Sequence, residues 1–259
     1  MISVLQLGSV DYGIALQLQQ RLVSLRKENA ISDVVLLLEH PPVITLGRNG
    51  KSSNVLASPE QLASSGVELF ECDRGGDVTF HGPGQLVAYP IFDLRSLRSA
   101  DVHRKNMGAV EFVRSLEEVL IRVCAHFGIA TERISGLTGV WTSNATQAKI
   151  AAIGVHISRG VTSHGLALNV NIDLSYFNLI IPCGIASRPV TSVQKELGQA
   201  ISMAVVAEIV ARAFGTVFCS KVVSLSTLDE LLKPQELDIP LRMPSEFRHM
   251  HKEDETFLA

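Results

Sequence analysis

Apolar residues at Ala15, Leu18, Leu22 and Leu25 recur at spacings of three and four across residues 12–28, with Gln17, Gln20, Arg21 and Lys27 on the opposite face. That pattern predicts an amphipathic helix. Residues 106–127 carry a longer signal of the same kind, through Met107, Val110, Val113, Leu116, Leu120, Val123 and Phe127, and Gly128 supplies a stop. Residues 202–214 are almost wholly apolar and predict a buried helix. Ser58-Pro59-Glu60-Gln61 has the cap, the first-turn proline and the third-position glutamine of a helix start, closed by Gly66. Shorter helical pieces are expected at 174–177, 191–197 and 227–233.

Between these lie runs with strand character. The stretch 33–40 is continuously apolar between charged ends, long enough for a buried strand and too short for an ordinary helix. Further strands are predicted at 4–7, 43–47, 67–72, 78–80 and 136–141. Residues 86–94 form another, which Pro90 should confine to an edge or a bulge because proline has no N–H to donate. From Lys149 the pattern is strand, a turn at Arg159-Gly160, then a second strand over 161–171, an antiparallel hairpin. No internal repeat is present.

Composition narrows the chemistry. A net charge of −3 over 259 residues excludes a general nucleic-acid binder, whose affinity rests on a basic surface. The four cysteines, Cys72, Cys124, Cys183 and Cys219, form no C-x-x-C pair, so neither a zinc knuckle nor a redox dithiol is indicated. His40, His81 and His164 match no metal-ligand spacing. The first twenty residues show no basic segment followed by an apolar run, and no stretch has membrane-spanning length. A soluble, unexported protein of the reducing cytoplasm is expected.

Two stretches stand out. In Asp73-Arg74-Gly75-Gly76-Asp77-Val78-Thr79-Phe80-His81-Gly82-Pro83-Gly84-Gln85, the glycines suit close approach of backbone to a ligand or sharp turns. The spacing is that of neither a phosphate loop nor a dinucleotide fingerprint. Arg74 and His81 would flank a short strand, although a glycine-rich hairpin with solvated side chains has the same composition. The second stretch, 149–184, ends in Pro182-Cys183-Gly184, which holds a thiol on a defined turn. A neighbouring cation raises the thiolate fraction of such a cysteine, and Lys149 is the candidate; a buried structural thiol is the plainer alternative.

Taken in order, Arg74-Gly-Gly-x-x-Thr-Phe-His-Gly-Pro-Gly-Gln85, Lys149-Ile-Ala-Ala-Ile-Gly154 with His164-Gly-Leu-Ala-Leu-Asn169, and Ile181-Pro-Cys-Gly184 closely resemble the lipoyl(octanoyl) transferase family. The likeness covers about residues 4–197. It implies an α/β (α+β) fold, a mixed sheet flanked by helices like the catalytic module of biotin and lipoate-protein ligases, with residues 1–220 catalytic and 221–259 a peripheral extension. It implies transfer of an octanoyl group from octanoyl-acyl carrier protein, through a thioester on Cys183, to a lysine of lipoyl domains in E2 subunits or the glycine-cleavage H protein. Carried over residue by residue, the nucleophile is Cys183 and the activating residue Lys149. The acyl pocket takes Arg74, Gly75, Gly76, Asp77, Val78, Thr79, Phe80 and His81, then Ala152, Ile153 and Gly154, then Gly165, Leu166 and Ala167, with His164 a possible further member. No cofactor, metal, nucleic acid or membrane enters.

The residue types suit that chemistry. Exchange between two thioesters needs no ATP, and the incoming amine, with a pKa near ~10.4, must lose a proton that Lys149 can accept once the thiolate is consumed. The rivals are an ATP-dependent lipoate- or biotin-protein ligase, a papain-like hydrolase using His81 or His164 as base, and a non-catalytic module that binds acyl carrier protein.

Overall fold

The computed structural model describes residues 1–182 and 188–231. The two long amphipathic patterns become helices α1 (Tyr12–Lys27) and α3 (Ala109–His126), and the apolar one becomes α5 (Met203–Val217). Asp11 caps α1 by accepting from the N–H groups of Gly13 and Ile14. The short helix α2 (Pro59–Ser64) opens on the full capping box of Ser58 and Gln61, and α4 (Val193–Leu197) is capped by Ser192. Residues 174–177 fall within a 3₁₀ segment, Leu174–Leu179.

The strands are β1 (Ile2–Ser9), β2 (Asp33–Glu39), β3 (Val43–Leu46), β4 (Glu68–Glu71), β5 (Val78–His81), β6 (Gln85–Ile91), β7 (Thr131–Ile134), β8 (Leu137–Thr142), β9 (Lys149–Ser158), β10 (Val161–Asn169) and β11 (Val222–Leu225). Eight of them form one sheet in the order β11-β1-β2-β6-β10-β9-β8-β7, parallel at the β11-β1-β2 end and antiparallel elsewhere. The remaining three make a small sheet, β4-β3-β5. One face of the large sheet packs against α3 and α5 through Ala88, Leu166, Leu168 and Ala151 opposite Phe112, Leu116, Val210 and Phe214. The other face packs α1 over Leu36, Leu38, Val87 and Tyr89. The small sheet has its own core, in which Val78 and Phe80 meet Leu62, Phe177 and Ile180.

Four expectations change. Strand β6 lies in the sheet interior between β2 and β10, with Pro90 buried in it, rather than at an edge or a bulge. Around the proline, side chains take over from the ladder: His164 directs its N–H to Oε1 of Gln19 at 2.7 Å, and the Pro90 carbonyl accepts from the Thr162 hydroxyl at 2.7 Å. Strands β7 and β11 have no counterpart among the predicted elements; both are short, partly exposed edges. Because β11 pairs with β1, the large sheet continues past residue 220 to Leu225. Of the helix expected over 227–233, residues up to Leu231 form turns, and the rest lies outside the described residues.

Between β6 and β10 the chains approach closely at Gly165. A Cβ there would lie 2.1 Å from the Ala88 carbonyl oxygen and 2.6 Å from Cδ of Pro90, both atoms of the facing strand. Gly165→Ala should therefore lower stability by about 3 kcal/mol, as overpacking against an immovable backbone does. Urea denaturation of the two proteins checks this, and equal midpoints would show that the strands can spread.

Candidate active site

The sheet register arranges small and polar side chains in rows. Gln85 pairs with Asn169; Val87 pairs with Ala167, which pairs with Ala152; and Gly165 pairs with Gly154, with Tyr89 at the same level by continuation of the β6 register. Above these rows lies a cavity of about 260 Å³. Its roof is the glycine-rich loop leading into β5, docked onto β9 by the Gly75 N–H donating to the Val155 carbonyl at 3.0 Å.

Lys149 reaches this cavity through an irregularity. In a regular strand Lys149 would share a face with Ala151, whose side chain is in the opposite core. The β8–β9 register shifts between Val140–Ala151 and Trp141–Lys149, which leaves Ile150 as an extra residue. That bulge turns Lys149 onto the face of Ala152 and Gly154. The lysine is buried, 8% exposed, with Nζ 5.0 Å from the centroid of Trp141, the chain's single tryptophan. The Arg188 guanidinium lies 5.7 Å from the same ring. Behind the lysine, Gly139 has φ +122°, and a Cβ there would stand 2.8 Å from Lys149 Cε. The Gly139 N–H donates to the buried Glu117 carboxylate, itself paired with Arg114 and Arg133.

His40 and His81 are neutral donors and acceptors whose tautomers follow from their partners. Asn169 donates to the Thr191 carbonyl at 2.9 Å, Gln85 donates to Asn169 at 2.9 Å, and Gln85 Oε1 accepts from His81 Nδ1 at 2.6 Å. His81 Nε2 is therefore the unprotonated nitrogen. Burial, followed by the neighbouring His40, holds the His81 pKa down to about 3. His40 donates from Nδ1 to the Val10 carbonyl and accepts the Tyr89 hydroxyl at Nε2, both at 2.7 Å; burial lowers its pKa to about 4. His164, at φ +54°, joins Nε2 to Asp73 at 2.7 Å, and this hydrogen bond draws the Asp73 pKa down to about 2.

Of the residues expected in the site, the cavity brings together Lys149, Arg74, Gly75, Gly76, Asp77, Thr79, His81, Ala152, Gly154, His164, Gly165 and Ala167. Ile153 and Leu166 also border it, but their side chains belong to the opposite core, so the main chain is what they present. Val78 and Phe80 do not line it: strand alternation sends Thr79 and His81 inward and these two into the small sheet's core. Arg74 is no free cation, since its guanidinium is spent on the Thr45 hydroxyl and carbonyl and on the Gly75 carbonyl. Cys183 lies outside the described residues. Its predecessor Pro182 borders a small void with Lys149, Gln85 and Asn169, and on the far flank Lys149 N–H donates to the Pro189 carbonyl and Thr191 N–H to the Lys149 carbonyl. Tyr12, Val87, Tyr89 and Leu137 line the cavity without having been singled out. Among the described residues no cluster of three metal-ligating side chains occurs, and no helix is long and apolar enough to cross a membrane.

The lipoyl protein ligase A/B catalytic domain family matches residues 11–215. An octanoyltransferase of Koribacter versatilis is 59% identical over 254 residues, covering 98% of each chain. One of Acidobacterium capsulatum is 54% identical over 236 residues, covering 89% of this chain and 96% of that one. Among solved structures, the bipartite lipoate protein ligase of Thermoplasma acidophilum superposes with a TM-score of 0.67 at 14% identity, covering 92% of this chain and 89% of that one. Lipoate-protein ligase A bound with ATP gives 0.64 at 14% identity, covering 89% and 92%. These two likenesses establish the fold, a mixed sheet flanked by helices.

The buried neutral histidines set a pH dependence. Below the unfolded-state pKa near ~6.5, the unfolded imidazoles bind protons that folded His40 and His81 refuse, so stability falls as pH drops from there toward their folded values. The melting temperature should decline steadily from pH 6.5 to 4.5, and the slope should flatten in His40→Gln. A flat wild-type profile over that range would show that both rings accept protons in the folded state.

Proposed function

Because the chain belongs to the lipoyl protein ligase A/B catalytic domain family, and within it to the octanoyltransferases, we propose that it takes its octanoyl group from acyl carrier protein as a Cys183 thioester and delivers it to a lipoyl-domain lysine. E2 subunits and the glycine-cleavage H protein are the acceptors this reading names. The observation that carries it is the convergence on Lys149 of both chain segments flanking residues 183–187, Pro182 on one side and Pro189 with Thr191 on the other. A thiol one residue beyond Pro182 then has the buried lysine as its natural partner.

In the first half-reaction the Lys149 ammonium stands beside Cys183, whose thiol proton passes to solvent, and the ion pair supplies the thiolate. The thiolate attacks the donor carbonyl, the bond to the carrier sulfur breaks, and the departing carrier thiolate recovers its proton from Lys149. That leaves the lysine neutral. In the second half-reaction the neutral amine accepts a proton from the acceptor ammonium, the freed amine attacks the Cys183 thioester, and Cys183 leaves as a thiolate beside protonated Lys149. The amide's second proton passes to solvent. Val87, Ala152 and Ala167 form an apolar floor, and at about 0.8 kcal/mol per buried CH₂ an octanoyl chain on it gains several kcal/mol. His81 is a poor substitute base: its folded pKa near 3 makes it a weak proton acceptor. His164 is held by Asp73 at the end of the rows away from Gln85 and Asn169.

Two substitutions test the pair. Incubation with octanoyl-acyl carrier protein should add one octanoyl mass to the wild type and none to Cys183→Ser, whose melting curve should be unchanged; an adduct in the serine variant removes Cys183 from the pathway. Lys149→Arg keeps a cation that is never deprotonated, so acylation should persist in part while transfer to a lipoyl domain slows by about 10²–10⁴-fold, the range of a lost general base. Equal loss in both steps, measured by single-turnover mass spectrometry, would defeat the double role.

A further inference from the structure

The row of the cavity floor farthest from Gln85 and Asn169 is built differently from the rest. Its β9 and β10 members are Gly154 and Gly165, which present no side chains, so the bulk there comes from Tyr89 on β6 and His164 beside it. Both rings are pinned. The Tyr89 hydroxyl is bonded to His40, whose other nitrogen is bonded to the Val10 carbonyl, and the tyrosine is 4% exposed. His164 is held by Asp73 through its ring and by Gln19 through its N–H, and it is 2% exposed. The two rings meet edge to face, with centroids 6.4 Å apart at 86°.

We propose that the Tyr89–His164 corner is the end stop of the acyl channel and sets the length of chain the enzyme transfers; this rests on the reading that the cavity holds the acyl group of a Cys183 thioester. Length supports it. The step from the Gln85 row, beside Lys149, to the Tyr89 row is four strand residues, about 13 Å. An extended octanoyl chain, built from carbon–carbon bonds of about 1.5 Å in zigzag, spans on the order of 10 Å. Rigidity supports it as well. A longer chain could pass only by displacing Tyr89, which would strand the buried His40 nitrogen without its donor, or by displacing His164 from Asp73. The wall is therefore stiff where an aliphatic one would give. In Tyr89→Leu the ring and its hydroxyl are gone, while Val87 and Ala167 of the middle row remain.

The test uses the full chain, a lipoyl domain as acceptor, and acyl carrier protein loaded with hexanoyl, octanoyl, decanoyl or dodecanoyl groups. Tyr89→Leu should raise the decanoyl-to-octanoyl rate ratio by about fourfold for each methylene newly admitted, roughly tenfold or more in all. His164→Gly, which also suits the left-handed backbone at that position, should shift the ratio the same way. Tyr89→Trp should shift it toward hexanoyl. A ratio that stays at the wild-type value in whichever of these variants folds, as judged by melting curves, overturns the end stop. If the wild type itself transfers no octanoyl group, the reading of the cavity fails instead, so the two failures are distinguishable.

Discussion

One added residue governs which face of β9 Lys149 reaches. Side chains on a strand alternate, and the hairpin of β9 and β10 is committed on one face to the α3–α5 core through Ala151, Leu166 and Leu168. With strict alternation Lys149 would follow Ala151 into that core, where an ammonium group is costly to desolvate. The bulge at Ile150 breaks the alternation once, at the start of the strand, and the lysine arrives instead beside Ala152. The β9 edge then carries a charge at one end and a row of alanine and glycine along the rest. A small-residue floor and a buried cation are compatible on one strand only because of that slip.

The polar residues around the cavity hold shape more than they hold charge. Arg74, expected in the acyl pocket, is folded back on Thr45 and shapes the roof loop. Asp77 accepts from the Lys51 and Val78 N–H groups and from Asn54, tying the same loop to the 3₁₀ turn Ser52–Asn54. His40 and His81 stay neutral and relay hydrogen bonds from backbone carbonyls to the cavity surface. The cavity thus has a roof, a floor and a fixed set of polar edges before any substrate arrives, with Lys149 among its lining groups.

Much of this was legible in the chain. Periodicity located α1, α3 and α5 to within a few residues, since each is long and one-sided or wholly apolar, and the Arg159-Gly160 turn marked the central hairpin. The edge strands β7 and β11 were not legible, because Thr-Glu-Arg-Ile and Val-Val-Ser-Leu are too short to show a period. Pro90 misled, since the partner that the His164 N–H finds beside it is Gln19, far away in sequence. Within the site, contiguous motifs were easy to find and individual orientations were not: Val78 and Phe80 belong to the motif but face away. Tyr12, His40 and Tyr89 are far apart along the chain, so only the fold brings their rings together.

The Glu117 cluster carries a different kind of lesson. Its carboxylate is fully enclosed, yet both of its partners, Arg114 and Arg133, stand half in solvent on the outer side of the molecule. On its inner side the same carboxylate receives the Gly139 N–H, and Gly139 forms the surface against which the Lys149 stem rests. A lesion at Arg133 would leave a buried anion with one counterion instead of two, one residue removed from Lys149. Tolerance maps drawn from solvent exposure would score that arginine as silent, although the wiring beneath it runs to the centre of the enzyme.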